Sequence, residues 1–156
     1  MTNMAKYLNG DISWILKNFP VYTEDSGSLG VFEYGNEFDF KVKRIFFLRD
    51  LKQEVARGMH SHDELKELIV CLHGSFFIDL NNGLEQVSIN MKADNSCLYV
   101  DGKVWREIKN FTADTVIMVI CDREYRFDKV VRDFSQFKEN LNSINLCNIK
   151  KNLQNS

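Results

Sequence analysis

The three histidines of the chain, His60, His62 and His73, lie within one short stretch. His60 and His62 are two positions apart on a predicted strand, so their side chains point to the same face. If that face is the interior of a barrel, two imidazoles converge in one cavity. Imidazole titrates at about pH 6.5, so such a pair can take and return a proton near neutrality. With the carboxylate of Glu67 close by, the same residues could instead hold Fe or Zn. The third possibility is a solvated strand face whose polar side chains do no chemistry. His73 precedes Gly74 at a predicted turn and reads as an exposed loop residue.

These residues need a rigid frame, and the pattern around them is that of a sheet. From Leu29 onward, short runs that alternate apolar with polar predict strands over 29–34, 42–48, 55–60, 67–73, 75–80, 84–90, 96–100, 104–108 and 115–121. Asn81-Asn82-Gly83 separates two of them and predicts a hairpin, because its residues tolerate positive φ. Strands of this length and spacing point to a sandwich or barrel. Near the end, Phe127, Val130, Val131, Phe134, Phe137 and Leu141 recur with helical period, predicting an amphipathic helix over about 127–142 that covers one edge of the β unit. The tail, 143–156, is rich in Asn and Lys and is expected to fray. Residues 11–18 read as a short helix or turn.

The chain has 156 residues, enough for one domain with its own core. Its net charge of −2 argues against nucleic-acid binding, which calls for a basic excess. The sequence offers no apolar run of membrane-spanning length and no signal peptide, so no membrane association and a cytoplasmic location are expected. Cys71, Cys97, Cys121 and Cys147 form no CxxC pair, and three of them sit inside apolar runs. They read as small core residues rather than a disulfide framework.

The run Gly58-Met59-His60-Ser61-His62, with Glu67 and then Gly74 further on, resembles the first motif of the cupin superfamily. Cupins are small all-β jelly-roll barrels (double-stranded β-helices) with a cavity between two sheets. The resemblance implies a single cupin domain over 1–156, with a barrel over about 22–122 and a C-terminal amphipathic helix. In metal-binding cupins the two His and the Glu are ligands, and a second motif supplies a further His. The segment Asp101 to Asn110 has the spacing of that second motif, but Arg106 occupies the position of the His. A guanidinium ligates no metal and repels a divalent ion beside it. No metal and no cofactor are therefore expected.

Across about 22–137 the likeness narrows. Glu24-Asp25-Ser26-Gly27-Ser28-Leu29, Lys43-Arg44-Ile45-Phe46-Phe47, Arg57-Gly58-Met59-His60-Ser61-His62, Leu68-Ile69-Val70-Cys71, Leu98-Tyr99-Val100, Val104-Trp105-Arg106-Glu107 and Val131-Arg132-Asp133-Phe134 follow in the order and spacing of one family. They resemble the WxcM-like (FdtA-type) nucleotide-sugar 3,4-ketoisomerases, which act on dTDP-4-keto-6-deoxyglucose. There are departures. The family often has tyrosines where this chain has Phe46 and Phe47, an Arg where it has Ser26, and Trp-His-Glu where it has Trp105-Arg106-Glu107.

The resemblance implies a metal-independent tautomerisation through an enediol and a homodimer, often with an exchanged N-terminal strand. It implies His62 as the base at C3, His60 as a relay to C4, and Arg106 either stabilising the enediolate or tied to Glu67 in a salt bridge. Arg57 and Lys66 are candidate phosphate contacts, with a solvated strand-edge charge as the alternative for Lys66. Trp105, Tyr99 and Phe46 are candidates to stack on the base or line the cavity, with core packing as the alternative. Ser26 combined with Arg106 looks more like members giving dTDP-3-keto-6-deoxygalactose. Such sugars usually enter surface polysaccharides, including O-antigen. A metal-dependent cupin using His60, His62 and Glu67, and a non-catalytic sugar-nucleotide sensor, remain as alternatives.

Overall fold

The computed structural model describes residues 4–8 and 11–154. Its thirteen strands are β1 (Met4–Leu8), β2 (Asp11–Asn18), β3 (Val21–Glu24), β4 (Gly27–Gly30), β5 (Arg44–Leu48), β6 (Arg57–His62), β7 (Lys66–His73), β8 (Ser75–Asn81), β9 (Gln86–Lys92), β10 (Ser96–Asp101), β11 (Trp105–Lys109), β12 (Val116–Cys121) and β13 (Val130–Val131), followed by helix α1 (Phe134–Gln154). A six-stranded sheet runs β1-β2-β10-β7-β12-β5, a five-stranded sheet runs β13-β6-β11-β8-β9, and β3-β4 forms a separate hairpin. The ladders between named strands are all antiparallel.

The two larger sheets close on a core of Trp14, Ile69, Cys71, Phe76, Ile78, Leu80, Leu98, Ile117 and Val119. Strand β7 shows why its sequence is apolar without a break from Leu68 to Leu72. Ile69 and Cys71 face this core, while Leu68 and Val70 face a second cluster with Phe19, Phe40, Cys97, Tyr99 and Ile120 on the outer side of the sheet. A strand buried on both faces cannot alternate. The outer cluster is roofed by the segment after β4, through Phe32, Phe38 and Phe40. Each large side chain buried this way contributes roughly 1.5–3 kcal/mol.

The hairpin expected at Asn81-Asn82-Gly83 joins β8 to β9, with Asn81 paired to Gln86. Asn82 is fully buried, and its Oδ1 accepts the backbone N–H groups of Leu84 and Glu85 at 3.0 and 2.9 Å. The three buried cysteines, Cys71, Cys97 and Cys121, are free thiols, which burial pushes up to about 11, 12 and 12.

Four expectations change. Residues 11–18 form strand β2 rather than a helix or turn, because they add to the sheet beside β10. Of 29–34, only the part up to Gly30 is strand. The helix expected over 127–142 begins at Phe134, where Asp133 caps it: Asp133 Oδ1 accepts the Gln136 N–H at 2.8 Å. Phe127 closes a 3-10 turn, and Val130 and Val131 pair with β6 instead. The helix continues to Gln154, through most of the tail expected to fray, because neither Gly nor Pro interrupts it. Phe137, Leu141 and Val131 pack on Trp105 from outside the five-stranded sheet.

Candidate active site

Strand β6 carries both histidines and is not regular. Gly58 (φ 89°) and Met59 (φ 49°) both take positive φ, and the pairing to β11 shifts here, with Arg106 opposite His60 and Glu107 opposite Gly58. Met59 is the surplus residue of this β-bulge. Only glycine fits at 58, since a Cβ there would lie 2.9 Å from the Arg106 carbonyl oxygen.

Below the bulge, His60 and His62 point into a cavity of about 490 Å³ between the sheets. Its wall is formed by Arg44, Phe46, Leu48, Ile69, Ile117 and Val119 on the six-stranded side, and by Arg57, Ile78, Arg106 and Ile108 opposite. The histidines are therefore not on a solvated strand face; His62 is only 5% exposed. Their Nε2 atoms lie 2.9 Å apart, with the rings perpendicular. His62 Nδ1 bonds Asp128 Oδ1, and Asp128 Oδ2 accepts from Arg44 Nη2 at 3.0 Å. Asp128 reaches the site because the 3-10 turn ahead of it is closed by its own N–H, and β13 behind it pairs with β6.

Burial, then the charge of Arg106, holds the His60 imidazole below its ordinary range. The same two causes, in the same order, take His62 down to about 3 against the pull of Asp128. Both rings are neutral at pH 7. The carboxylate of Asp128 is an acceptor, so His62 Nδ1 carries the proton and Nε2 is bare. His60 Nε2–H then donates to that bare nitrogen.

Arg106 lines the same cavity but is buried and committed. Its Nη1 donates to Glu67 Oε2, its Nη2 to the carbonyls of Asp101, Gly102 and Val104, and its Nε to Val104 O. The salt bridge to Glu67 is thus formed, and the guanidinium acts on the histidines through its charge. A metal does not fit this set. The Glu67 carboxylate is held by a cation, and the imidazole Nε2 atoms face each other rather than a common point. Among the described residues, no three His, Cys, Asp or Glu side chains converge as metal ligands.

Phe46 and Arg57 line the cavity. Four other candidates do not. Tyr99 packs on the outer face of the sheet with its ring 6.4 Å from Phe40. Trp105 alternates with Arg106 and so faces helix α1, its ring 5.1 Å from Phe134 and 5.7 Å from Phe137. Lys66 starts β7 opposite Asp101, away from the cavity lining. Ser26 sits in the exposed turn of the β3–β4 hairpin. Sequence reading gave no role to Asp128, Tyr125, Arg44 or Arg132, all of which line the cavity. Asp128 is 66 positions from His62, and no local spacing announces that contact.

Residues 13–142 match the family model described as FdtA, WxcM-like, C-terminal. The TDP-4-oxo-6-deoxy-alpha-D-glucose-3,4-oxoisomerase of Aneurinibacillus thermoaerophilus is 33% identical over 129 residues, covering 83% of this chain and 93% of that protein. Among solved structures, a 3,4-ketoisomerase from Helicobacter canadensis superposes with TM-score 0.78 at 31% identity, covering 83% of this chain and 97% of its own. A mutant of the 3,4-ketoisomerase QdtA from Thermoanaerobacterium thermosaccharolyticum, solved in complex with TDP-4-keto-6-deoxyglucose, gives TM-score 0.80 at 25% identity, covering 84% and 95%. The chain is an all-β cupin barrel with a C-terminal helix, and these ketoisomerases are of the cupin type. On the extent of the family match and the identity to its relative, the chain belongs to the FdtA family of WxcM-like, C-terminal proteins.

Proposed function

We propose that this protein is an isomerase, a 3,4-ketoisomerase that converts dTDP-4-keto-6-deoxyglucose into the corresponding dTDP-3-keto-6-deoxy sugar. The observation that carries the reading is the Asp128–His62–His60 chain ending in the cavity, two neutral imidazoles in a tautomer fixed by a carboxylate. His62 Nε2 takes the C3 proton once the bound sugar has taken over the hydrogen bond from His60 Nε2–H. The C3–H electron pair becomes the C3=C4 bond, and the carbonyl pair moves to O4. In the return half, C4 receives a proton from the imidazole pair, O4 takes the proton of the C3 hydroxyl, and the C3 oxygen closes to a ketone. His60, 2.9 Å from His62, moves a proton between the two rings.

A neutral imidazole pair suits an anionic substrate. The diphosphate and the developing enediolate favour imidazolium only once they are bound. Arg106 is a positioning residue whose charge adds to burial in keeping the resting pair neutral. Arg57 and Arg132 on the cavity wall are the diphosphate contacts, since guanidinium groups match phosphate oxygens in geometry and charge. The galacto configuration at C4 is the favoured product, resting on Ser26 together with Arg106.

A homodimer belongs to the same reading. The β3–β4 hairpin extends Val21, Tyr22 and Leu29 into solvent, an apolar surface that a second copy with an exchanged N-terminal segment would cover. So does a cytoplasmic location; among the described residues no helix is long and apolar enough to cross a membrane.

The test is proton NMR of the metal-stripped protein with dTDP-4-keto-6-deoxyglucose in D₂O. Disappearance of the C3 proton with appearance of a 3-keto sugar supports the proposal, and the H4–H5 coupling of product made in H₂O, where C4 keeps a proton, reads the configuration. An unchanged spectrum overturns it.

A further inference from the structure

Beside the His62–Asp128 contact, the cavity wall holds a cation most of whose donors have no partner among the described residues. Arg44 begins β5 and gives Nη2 to Asp128 Oδ2 at 3.0 Å. Its guanidinium carbon lies 5.3 Å from the ring centroid of Phe46 and 5.6 Å from that of Tyr125. Nε and Nη1 are buried and bond nothing among the described residues. Between them these nitrogens carry three N–H groups. A buried donor left unpaired costs about 1–3 kcal/mol, and native structures keep few of them. Arg106, a second buried guanidinium near the histidines, has no comparable surplus, because Glu67 and three carbonyls occupy it.

Depth separates Arg44 from the remaining arginines. Its side chain is 15% exposed and touches the carboxylate that orients His62, whereas Arg57 is an exposed residue at the start of β6. A ligand that fills the cavity with its sugar inward and its diphosphate at the exposed end would bring sugar oxygens, not phosphates, to Arg44.

We propose that Arg44 is a further catalytic residue, whose Nε and Nη1 donors hold the sugar oxygen that turns anionic as the C3 proton leaves. This rests on the ketoisomerase reading above. Arginine cannot surrender its proton at working pH, so it stabilises that oxygen rather than transferring hydrogen to it. One carboxylate fixes both halves of the apparatus, because Asp128 receives His62 on one oxygen and Arg44 on the other. Tyr125, 81% exposed, is the flanking ring that yields to the incoming sugar.

The experiment compares wild type with Arg44→Lys and Arg44→Ala, following turnover by NMR and dTDP affinity by calorimetry. Arg44→Lys keeps a cation for Asp128 but lacks the guanidinium donors. Its kcat should fall about 100-fold or more, the usual cost of losing an oxyanion donor. Its Kd for dTDP should stay within about twofold, since dTDP has no keto sugar to contact Arg44. Added guanidinium, but not ammonium, should restore part of the Arg44→Ala activity. Retention of dTDP binding shows that a variant is folded; if Arg44→Ala does not fold, Arg44→Lys decides alone. Turnover of Arg44→Lys within about threefold of wild type overturns the inference. So does a loss of dTDP affinity that matches the loss of activity, which would place Arg44 on the diphosphate. Wild-type protein that binds dTDP yet leaves the keto sugar unchanged overturns the ketoisomerase reading itself, a result visible before any variant is made.

Discussion

Replacing Asp128 by Asn removes one charge and almost no volume, yet the geometry predicts that it disables the base. Two donors meet on this carboxylate, His62 Nδ1–H on Oδ1 and Arg44 Nη2 on Oδ2. An amide offers a single acceptor oxygen, so one donor must lose. Arg44 can only donate, and a hydrogen bond to a charged group is worth about 1.5–3 kcal/mol, more than a neutral one. The amide oxygen therefore turns to Arg44 and its NH₂ faces His62. His62 must then present a bare Nδ1 and carry its proton on Nε2, the atom that should take the C3 proton. The expected loss in kcat is about 10³-fold, or about 4 kcal/mol of barrier. Asp128→Ala is the control: it orients the ring poorly but dictates no tautomer, so it should lose less than Asp128→Asn. Both are read by the rate of C3 proton loss under saturating dTDP-4-keto-6-deoxyglucose. An Asn variant within threefold of wild type, or clearly better than the Ala variant, would refute the tautomer argument.

The joint substitution Glu67→Gln with Arg106→Gln removes a buried ion pair without leaving either charge alone. It should raise the pKa of both histidines and move the acid limb of kcat/KM toward pH 6.5, where wild type should still be flat; an unmoved limb denies the electrostatic role of Arg106. His62 also links stability to pH: at about 3 in the folded protein and about 6.5 unfolded, its contribution is complete above pH 6.5 and is lost as pH falls from there toward 3. Urea midpoints at pH 7.5 and pH 5 should therefore differ more for wild type than for His62→Gln. Trp105→Ala should lower stability by about 3 kcal/mol and Tm by roughly 6–12 °C, by stripping the contact with Phe134 and Phe137. Its KM should not move; a raised KM with an unchanged Tm would return Trp105 to the binding site.

The barrel and the converging histidines were legible because period-two alternation and the two-residue spacing of His60 and His62 are local signals. What was not legible depends on contacts between distant segments. Asp128 lies at the start of an apolar pattern whose spacing suits a helix, and it becomes a site residue only because β13 adds to the edge of β6. The same docking explains the helix start at Phe134: Val130 and Val131 meet the apolar requirement but are used as a strand. Tyr99 reads like a cavity aromatic until β10 is seen to have a second apolar layer behind it. Trp105 and Arg106, adjacent in sequence, could not both face inward, and alternation alone does not say which one does. The first strand pair escaped notice because the backbone pairing of β2 with β10 decides it.

The surplus residue in β6 also changes which neighbours can share a cavity. In an uninterrupted strand, an odd-numbered Arg57 would stand on the side opposite the even-numbered His60 and His62. Met59 resets that parity, and all three line one space. A cation suited to a diphosphate and the imidazoles suited to a carbon acid are thus brought together by chain length rather than by side-chain identity. Scanning with single substitutions would not reveal this dependence. Inserting one residue between Arg57 and Gly58 would, by turning the arginine outward while leaving the bulge and the histidines in place, so that grip on the nucleotide and reactivity toward the sugar become separable properties of one strand.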